Sequence, residues 1–312
     1  MITASVVICA YTLDRWDDLC AAVASAVGQV PAPSEVIVVI DGNEELLARA
    51  EAAFPQAVVL RNAGADGLSG GRETGAARAT APVVAFLDDD AIAEPGWLRE
   101  LLAAYADPHV LGAGGHVEPL WRAPQPVWFP AEFNWVVGCT WAGMEDGGDR
   151  IRNPIGANMS MRADVIRRTG AFKLGRISVG GRVSGSAEET EYCIRASRLH
   201  PGGYWVHRPA ARVRHVVVPE RGTWAYFVRR CRIEGAAKAL LTDLAGTQAG
   251  LASERRYVRS VLPRAVAGEL RAALRERRPG ALRRAGAIVA GVGITTWAYA
   301  TTSLAQRARR AG

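Results

Sequence analysis

Short, continuously apolar runs alternate with helical patterns along the first part of the chain. Four runs predict buried β-strands, and in chain order they are ASVVICAY, EVIVVID, AVVLRN and PVVAFL. Helical patterns separate them at 14–27, 44–54 and 69–80, and a further helix is predicted after Pro95. Apolar strands joined by helices are typical of a mainly parallel sheet covered on both faces. Ligands bind such sheets beyond the carboxyl ends of the strands.

The pattern changes after the fourth strand. Residues 114–157 are rich in glycine, proline and tryptophan, and prolines within this stretch exclude a continuous helix, so we predict a long loop. The later elements are predicted as helix, helix, strand and strand, at 163–169, 186–200, 203–208 and 211–218. Helical patterns then continue to the end. We therefore predict an α/β domain at 1–222 and a helical extension at 223–312.

Composition and charge narrow the class of protein. The chain has 312 residues and 49% hydrophobic content, which is enough for a full core, and its net charge is +7. The basic excess lies in the extension, in FVRRCR, SERRYVR and RERRPGALRR. Such a surface suits nucleic acid, anionic lipid or phosphorylated substrates, and a merely solvated helix surface explains it equally well. Five cysteines without a CxxC pair fit a reducing compartment, and we expect no secretion signal.

One stretch of the extension has the length of a bilayer core. Residues 285–305 carry no charged side chain, and arginines flank them on both sides. The stretch is a candidate membrane segment, and the alternative is a helix that packs as a lid on the catalytic domain. Because arginines lie at both ends, the charges predict no orientation across a membrane.

Three consecutive aspartates follow the fourth strand, in VVAFLDDDA. In an extended segment Asp88 and Asp90 face one side and Asp89 faces the other, so the first two can share one ligand. Carboxylate oxygens are the ligands that Mg²⁺ and Mn²⁺ prefer, and Mg²⁺ often bridges carboxylates to substrate phosphates. An acidic cap for the helix after Pro95 is the alternative, but a cap needs only one aspartate. The triplet therefore predicts a divalent metal site.

Six segments occur in the order and spacing of a known family: SVVICAYT, EVIVVIDG, GLSGGRETGAARA, VVAFLDDDA, IGANMSMR and SAEETEYCIR. Over about residues 3–220 the chain resembles the family 2 glycosyltransferases, which are inverting enzymes with the GT-A fold. The resemblance implies an α/β GT-A fold with a doubly wound mixed, mainly parallel sheet. It also implies transfer of a sugar from a nucleotide sugar, which we expect to be a UDP-sugar, with Mn²⁺ or Mg²⁺ as cofactor.

The resemblance also assigns roles to individual residues. The donor-binding residues that it implies are Ala10, Tyr11, Thr12, Asp41, Arg72, Asp88 and Asn158, of which the first three border the base and ribose and the last reaches a sugar hydroxyl. The metal ligands that it implies are Asp88, Asp90 and His215. The family has a pair of acidic residues where this chain has Ile40 and Asp41, and an Asp-Gly turn explains Asp41 equally well.

The EETE segment matches the family motif whose second residue is the general base. This implies that Glu189 is the base, with Glu188 as the next candidate. Inversion requires such a group because the acceptor hydroxyl must lose its proton as it attacks the anomeric carbon. A capping box from Ser186 to Glu189 is the alternative, in which Glu189 only stabilises the start of the helix. Glu191 and Arg195 are four residues apart and predict an ordinary helical ion pair.

Two later segments, WFPAEFNWVVGCTW and RGTWAYFVRRCRIEGAAKA, resemble a membrane-associated branch of the family. That branch acts on polyprenyl- or dolichyl-phosphate-linked sugars and includes glucuronosyltransferases. The resemblance implies a glycan or lipid-linked sugar as acceptor and a membrane surface as partner, with no nucleic acid. We expect the protein at the cytoplasmic face of the cell membrane, bound peripherally or by one carboxyl-terminal span.

Two other classes of protein remain open at this point. A non-catalytic nucleotide-sugar-binding scaffold could keep the fold, although the complete aspartate triplet and glutamate pair argue against it. A sugar nucleotidyltransferase also combines a parallel sheet with a metal. That class carries a glycine-rich loop with arginine or lysine after the first strand, whereas AYTLDRWDDL contains no glycine.

Overall fold

Strands and helices alternate along the first part of the chain, as the apolar runs predict. The structure, a computed structural model, describes residues 2–144, 149–172, 177–179, 182–184, 188–245, 254 and 256–311. Its strands are β1 (Ala4–Ala10), β2 (Glu35–Ile40), β3 (Val58–Arg61), β4 (Val83–Asp88), β5 (Ala91–Ala93), β6 (Val110–Trp121), β7 (Arg150–Ile151), β8 (Asn158–Arg162), β9 (Ile177–Val179), β10 (Arg182–Ser184) and β11 (Tyr204–Val217). Its α-helices are α1 (Trp16–Val27), α2 (Glu44–Ala53), α3 (Leu68–Arg78), α4 (Trp97–Ala103), α5 (Ala163–Thr169), α6 (Glu188–Leu199), α7 (Trp224–Ala245), α8 (Leu262–Arg275) and α9 (Ala281–Ala311).

Nine of the strands form one mixed sheet. The order is β3-β2-β1-β4-β8-β6-β11-β5, and β7 pairs with β11 at the side. β1 pairs in parallel with β2 and β4, and β2 pairs in parallel with β3. β8 is antiparallel to β4 and β6, and β5 is antiparallel to β11. The predicted α/β class and mixed sheet are confirmed.

Helix α3 packs unusually closely on the parallel strands, which are almost wholly buried. A Cβ on Gly71 would lie 3.1 Å from Cys9 Sγ, and a Cβ on Gly75 would overlap the side chain of Val7. Only glycine permits this approach without displacing the strand residues. The glycines of GLSGGRETG therefore bring the part of α3 that contains Arg72 against the carboxyl end of β1.

The loop predicted at 114–157 is wrong in its first part, because β6 continues to Trp121. This part of the strand was not predicted because its glycines interrupt the apolar pattern from which strands are predicted. A Cβ on Gly115 would overlap the carbonyl oxygen of Ala211, so the close packing of neighbouring backbone requires glycine at this position. The neighbouring strand β8 was also not predicted, although its residues were quoted in a motif.

The two strands predicted at 203–208 and 211–218 are one continuous strand, β11. Pro209 interrupts the apolar pattern between them, and it is exposed in the structure. The fixed backbone angle of proline is compatible with an extended chain. The pairings of β11 with β7 and β5 lie at 205–206 and 213–215, on either side of the proline.

The chain packs as two compact units. The first contains residues 1–118, 147–175 and 188–216, and the second contains residues 119–146, 176–187 and 217–312. The boundary at 222 between a catalytic domain and an extension stays a prediction. The packing groups residues 119–146, the tryptophan-rich segment, with the carboxyl-terminal helices.

Aromatic rings hold the tryptophan-rich segment on α7 within the second unit. The ring centroid of Phe227 lies 5.5 Å from that of Trp128 and 5.2 Å from that of Phe133. Such contacts add to the burial of the rings and order a segment that has little regular structure. Helix α9 also packs along α7, where a Cβ on Gly235 would lie 3.0 Å from Tyr299 N and would overlap the backbone of α9.

Helix α9 has one face that the protein does not cover. By length and composition, Ala281–Ala308 is the one segment of the described residues that could cross a membrane, and 22% of its most apolar window is buried. The side chains of Leu282, Val289, Trp297 and Leu304 are 61 to 64% exposed. They recur every seven or eight residues and therefore lie on one side of the helix. These four residues define the apolar face of α9.

Candidate active site

The carboxyl ends of β1, β2 and β4 lie at one edge of the sheet, because these strands are parallel. The register pairs Cys9 of β1 with Asp88 of β4, so the residues that follow both strands meet there. β5 follows the aspartate triplet and pairs antiparallel with β11, which places His215 opposite Ala91. The topology thus brings a histidine from a distant part of the chain to the aspartates.

Asp88, Asp90 and His215 form a group that could hold a metal ion. One ligand atom from each lies within 4.8 Å of the others, and His215 Nε2 lies 3.1 Å from Asp90 Oδ1. Two carboxylates and an imidazole are a suitable ligand set for Mn²⁺ or Mg²⁺ with water or substrate oxygens completing the coordination. The three residues predicted as metal ligands are therefore brought together, although their role in binding stays a prediction.

Asp89 faces away from this group and contacts Arg15. Arg15 Nη1 donates to Asp89 Oδ1 at 3.0 Å and lies 3.2 Å from Asp90 Oδ2. Burial and the nearby charge of Asp90 raise the pKa of Asp89 to about 7. Arg15 reduces the repulsion within the triplet, and this role was not predicted from the sequence. The one feature of the sequence that could have indicated this role is the position of Arg15, five residues after the end of the first strand.

Arg72 connects the metal-ligand group to the candidate base. Its side chain is 2% exposed, and it lies 2.8 Å from Glu189 Oε1 and 3.5 Å from Asp88 Oδ1. Burial lowers the pKa of this guanidinium, but the charges of Glu189 and Asp88 outweigh burial and raise the pKa above its ordinary value. A buried arginine between two carboxylates stays charged and holds both in position.

The two glutamates at the start of α6 have different surroundings. Glu188 is 4% exposed and accepts a hydrogen bond from Ser69 Oγ at 2.6 Å. Burial raises the pKa of Glu188. Glu189 faces Arg72 instead, so it is the better placed of the two to act at the sheet edge. Ser186, the first residue of the alternative capping box, lies outside the described residues.

Gly156 lies directly against the ion pair of Arg72 and Glu189. A Cβ built on Gly156 would overlap Glu189 Oε1 and would lie 2.6 Å from Arg72 Nη2. The pair can adopt its observed geometry only because this position has no side chain. Gly156 lies within IGANMSMR, and no role was predicted for it.

Asn158 corrects one prediction. Its side chain is fully buried, where its Oδ1 accepts from Trp97 Nε1 at 2.8 Å. Its Nδ2 donates to the carbonyl oxygens of His116 at 3.0 Å and Ala211 at 2.8 Å. The expectation that Asn158 reaches a sugar hydroxyl is wrong, because its amide already binds three groups of the protein. Asn158 instead ties β8 to neighbouring strands and to α4.

The other predicted donor residues lie at the sheet edge. Ala10 is buried at the end of β1, Tyr11 is 56% exposed, and the hydroxyl of Thr12 accepts from the amide of Asp14. The carboxylate of Asp41 accepts from Asn62 Nδ2 at 2.6 Å and from Gly67 N at 2.8 Å. These bonds fix the turn before α3.

The role of Asp41 in the turn is therefore observed. Contacts of Ala10, Tyr11, Thr12 and Asp41 with a donor stay predictions. Glu191 and Arg195 form the predicted helical ion pair, with 2.8 Å between Oε1 and Nε.

The chain has the mixed, mainly parallel sheet that is typical of the GT-A fold, with Asp88, Asp90 and His215 grouped at the ends of its strands. The chain is similar to the crystal structure of GalNAc-T7 with UDP, GalNAc and Mn²⁺, with a TM-score of 0.52 and 18% identity. The match covers 75% of this chain and 47% of that one, so the chain spans about half the length of that structure. This likeness confirms the predicted GT-A fold.

The family follows from two sequence comparisons. The model of Glycosyl transferase family 2 matches residues 5–169. The glucosyl-dolichyl phosphate glucuronosyltransferase of Haloferax volcanii is 35% identical over 249 residues, which cover 78% of this chain and 79% of that protein. The chain therefore belongs to glycosyl transferase family 2, and it is a glycosyltransferase. This result favours an enzyme over the binding scaffold and over the nucleotidyltransferase.

We expect Gly156→Ala to reduce sugar transfer by about 10- to 100-fold, because a small displacement of a reacting group has effects of this size. The new methyl group must displace Glu189 or Arg72, both of which are side-chain ends, so the fold should survive. Transfer rate and melting temperature measured on one preparation test this. Gly268→Ala is the matched control, since a Cβ there meets nothing within 4 Å. A folded Gly156→Ala variant with full activity would contradict the prediction.

Proposed function

We propose that this chain is a metal-dependent inverting glycosyltransferase that moves a sugar from a UDP-sugar to a hydroxyl of a dolichyl- or polyprenyl-phosphate-linked sugar. The observation that carries the proposal is the group of Asp88, Asp90 and His215, which Arg72 connects to Glu189. The residues proposed to bind the donor, to stabilise the leaving group and to act as base therefore lie at one edge of the sheet. The metal ion, the UDP donor and the inverting course are parts of the proposal.

The leaving diphosphate needs positive charge at the strand ends. Asp88, Asp90 and His215 would hold Mn²⁺ or Mg²⁺ there. When bound, this cation supplies positive charge that stabilises the diphosphate as it leaves. Arg72 lies beside Asp88 and adds a fixed positive charge. The residues after β1, at 10–12, would border the base and ribose.

Glu189 is the general base in this proposal. The acceptor hydroxyl oxygen forms a bond to the anomeric carbon as the bond from that carbon to the diphosphate oxygen breaks. Attack from the opposite side inverts the anomeric centre, and the hydroxyl proton moves to the carboxylate of Glu189. Arg72 donates to Oε1 of Glu189 at 2.8 Å, which orients the carboxylate so that Oε2 can take the proton.

Two observations support a lipid-linked acceptor: the name of a relative and the surface of the second unit. The relative from Haloferax volcanii is named for transfer of glucuronic acid to glucosyl-dolichyl phosphate. The second unit of this chain carries the basic segments and the apolar face of α9, which suit a membrane that contains such an acceptor. All five cysteines are free, which fits the cytoplasmic side of that membrane.

Of the two modes of membrane binding, we propose that α9 lies in the plane of the membrane surface. α9 packs along α7, and α7 exposes Arg229 and Arg232. Charged side chains of this kind are costly to transfer into the bilayer centre. The apolar face of α9 can enter the boundary between headgroups and acyl chains while α7 remains in water.

We expect Asp90→Asn to lose metal-dependent donor binding and to keep its fold. The substitution removes a charged metal ligand but preserves the size of the side chain. Isothermal calorimetry with a panel of nucleotide sugars, in Mn²⁺ and in chelator, measures the effect. Asp17→Asn, an exposed aspartate on α1, is the control. Donor affinity and metal dependence equal to those of the wild type would exclude Asp90 as a ligand.

We expect Glu189→Gln to bind donor normally and to lose sugar transfer by at least about 100-fold, the usual range for a missing general base. If Glu189 only stabilised the start of the helix, the variant would instead lose about 1 kcal/mol of stability and stay active. Transfer rate, donor affinity and melting temperature distinguish these outcomes. Glu191→Gln on the same helix is the control. An active Glu189→Gln enzyme would transfer the role of base to another group.

We expect the double substitution Val289→Ser and Trp297→Ser to release the full-length protein from phospholipid vesicles. Both side chains are 61% exposed, so the change should leave folding intact. Vesicle flotation measures binding, and hydrolysis of the UDP-sugar reports on the donor site. Val30→Ser, at a 77% exposed position in the first unit, is the control. If the wild-type protein did not bind vesicles, α9 would not be a membrane-binding helix.

A further inference from the structure

The turn between α8 and α9 forms one wall of an open cavity in the second unit. The cavity has a volume of about 560 Å³, and three arginines, Arg277, Arg278 and Arg283, line it. Leu282 and Val127 are among the other lining residues. This volume lies in the range of sites that hold small organic ligands. The proposed transfer reaction uses none of these residues.

The three arginines have charge that the protein itself does not neutralise. Residues 275–284 contain five arginines and a single glutamate. Over the described part of the chain, no ion pair is observed for Arg277, Arg278 or Arg283, and all three are exposed. Guanidinium groups bind phosphate oxygens through two parallel hydrogen bonds, so a cluster of them favours a phosphate ligand.

Arg284 differs from its neighbours and fixes the shape of the cavity. Its Nε and Nη2 donate to Glu269 on α8 at 2.7 and 2.8 Å, and its Nη1 donates to the carbonyl oxygen of Val127 at 3.0 Å. It therefore joins α8, α9 and the opposite wall. The backbone of the turn is also held, because the amide of Arg278 donates to the carbonyl oxygen of Ala272 at 3.2 Å. The arginines project from a wall that is already formed.

Apolar side chains border the arginines. Leu274 at the end of α8 is 81% exposed, and Leu282 at the start of α9 is 63% exposed. Leu282 is also the first residue of the apolar face of α9, which continues to Leu304 through a stretch with no charged residue. A soluble phosphate compound or a nucleic acid would leave these apolar groups in water. A phosphate joined to acyl chains would cover both the arginines and the apolar face.

We propose that the cavity lined by Arg277, Arg278 and Arg283 binds the phosphate of an anionic membrane phospholipid, whose acyl chains lie against the apolar face of α9. The proposal rests on the membrane association proposed above and adds a defined headgroup site to it. A specific site differs from general attraction to a charged surface, in which any exposed arginine of the second unit contributes equally.

The test compares two full-length variants with the same change in charge. One carries R277Q, R278Q and R283Q, and the control carries R264Q, R271Q and R307Q, which replace exposed arginines of α8 and α9 outside the cavity. Flotation with vesicles of phosphatidylglycerol and phosphatidylcholine measures membrane affinity. Calorimetry with dihexanoyl-phosphatidylglycerol below its micelle concentration, and with inorganic phosphate, measures the headgroup site itself.

We expect the cavity variant to bind the mixed vesicles at least tenfold more weakly than the control variant. It should also lose the binding of soluble phosphatidylglycerol that the control and the wild type retain. Hydrolysis of the UDP-sugar should be unchanged in both variants. Equal vesicle binding by the two variants would overturn the headgroup site and leave membrane association intact. Inorganic phosphate that binds as tightly as the short-chain lipid would overturn the assignment to a lipid.

Two further outcomes separate this site from the proposed function. A wild-type protein that binds neither vesicle nor short-chain lipid would overturn both the headgroup site and membrane association, while sugar transfer in detergent would still support the enzyme activity. A cavity variant with normal vesicle binding and a raised KM for the lipid-linked acceptor in detergent would assign the cavity to the acceptor and overturn the phospholipid site.

Discussion

The edge of the sheet that carries the candidate active site depends on the buried guanidinium of Arg72. This one group lies between Asp88 and Glu189, which come from β4 and α6. A buried charge of this kind is stable only when its partners stay in place, so the pair of contacts constrains all three elements at once. Gly156 follows from the same constraint, because it leaves the space that Arg72 and Glu189 occupy. Gly71 and Gly75 let α3, which carries Arg72, lie close to Cys9 and Val7 of β1. The stability of this edge and the geometry of the candidate active site therefore depend on the same few contacts.

The remaining aspartates show how the chain tolerates like charges side by side. The strand ends at Asp88, and the turn at Asp89 and Asp90 places Asp89 against Arg15 and Asp90 between Arg15 and His215. Even so, burial raises the pKa of Asp88 and of Asp89. The neighbouring positive charges of the protein therefore do not fully offset the cost of burying these two carboxylates. A divalent cation at this edge would supply the missing positive charge. The triplet is thus a costly arrangement that would become favourable if a cation bound there.

The sequence was sufficient for those features that depend on local pattern. Apolar runs predicted the four parallel strands. Asp88 and Asp90 do lie together as predicted, but the predicted reason was alternation in an extended segment, whereas the strand ends at Asp88 and the next two residues form a turn. The features that sequence analysis missed depend on contacts between distant residues. β6 was hidden because close backbone packing requires glycine in it, and Asn158 was misassigned because its three partners come from distant segments of the chain. Nothing in the sequence around Gly156 indicates that this residue lies against Glu189.

The distribution of charge along the chain fits two different anionic ligands. Residues 1–222 contain 21 basic and 26 acidic residues, whereas residues 223–312 contain 17 basic and 5 acidic residues. A nucleotide sugar carries a charged diphosphate, and the part of the chain that would bind it is itself net negative. The two arginines nearest the triplet, Arg15 and Arg72, already pair with carboxylates. In the proposed reaction, a cation held by Asp88, Asp90 and His215 would supply the positive charge that the donor needs. The carboxyl-terminal part has the opposite balance, so it can bind an anionic lipid surface through its own side chains and needs no metal ion to do so.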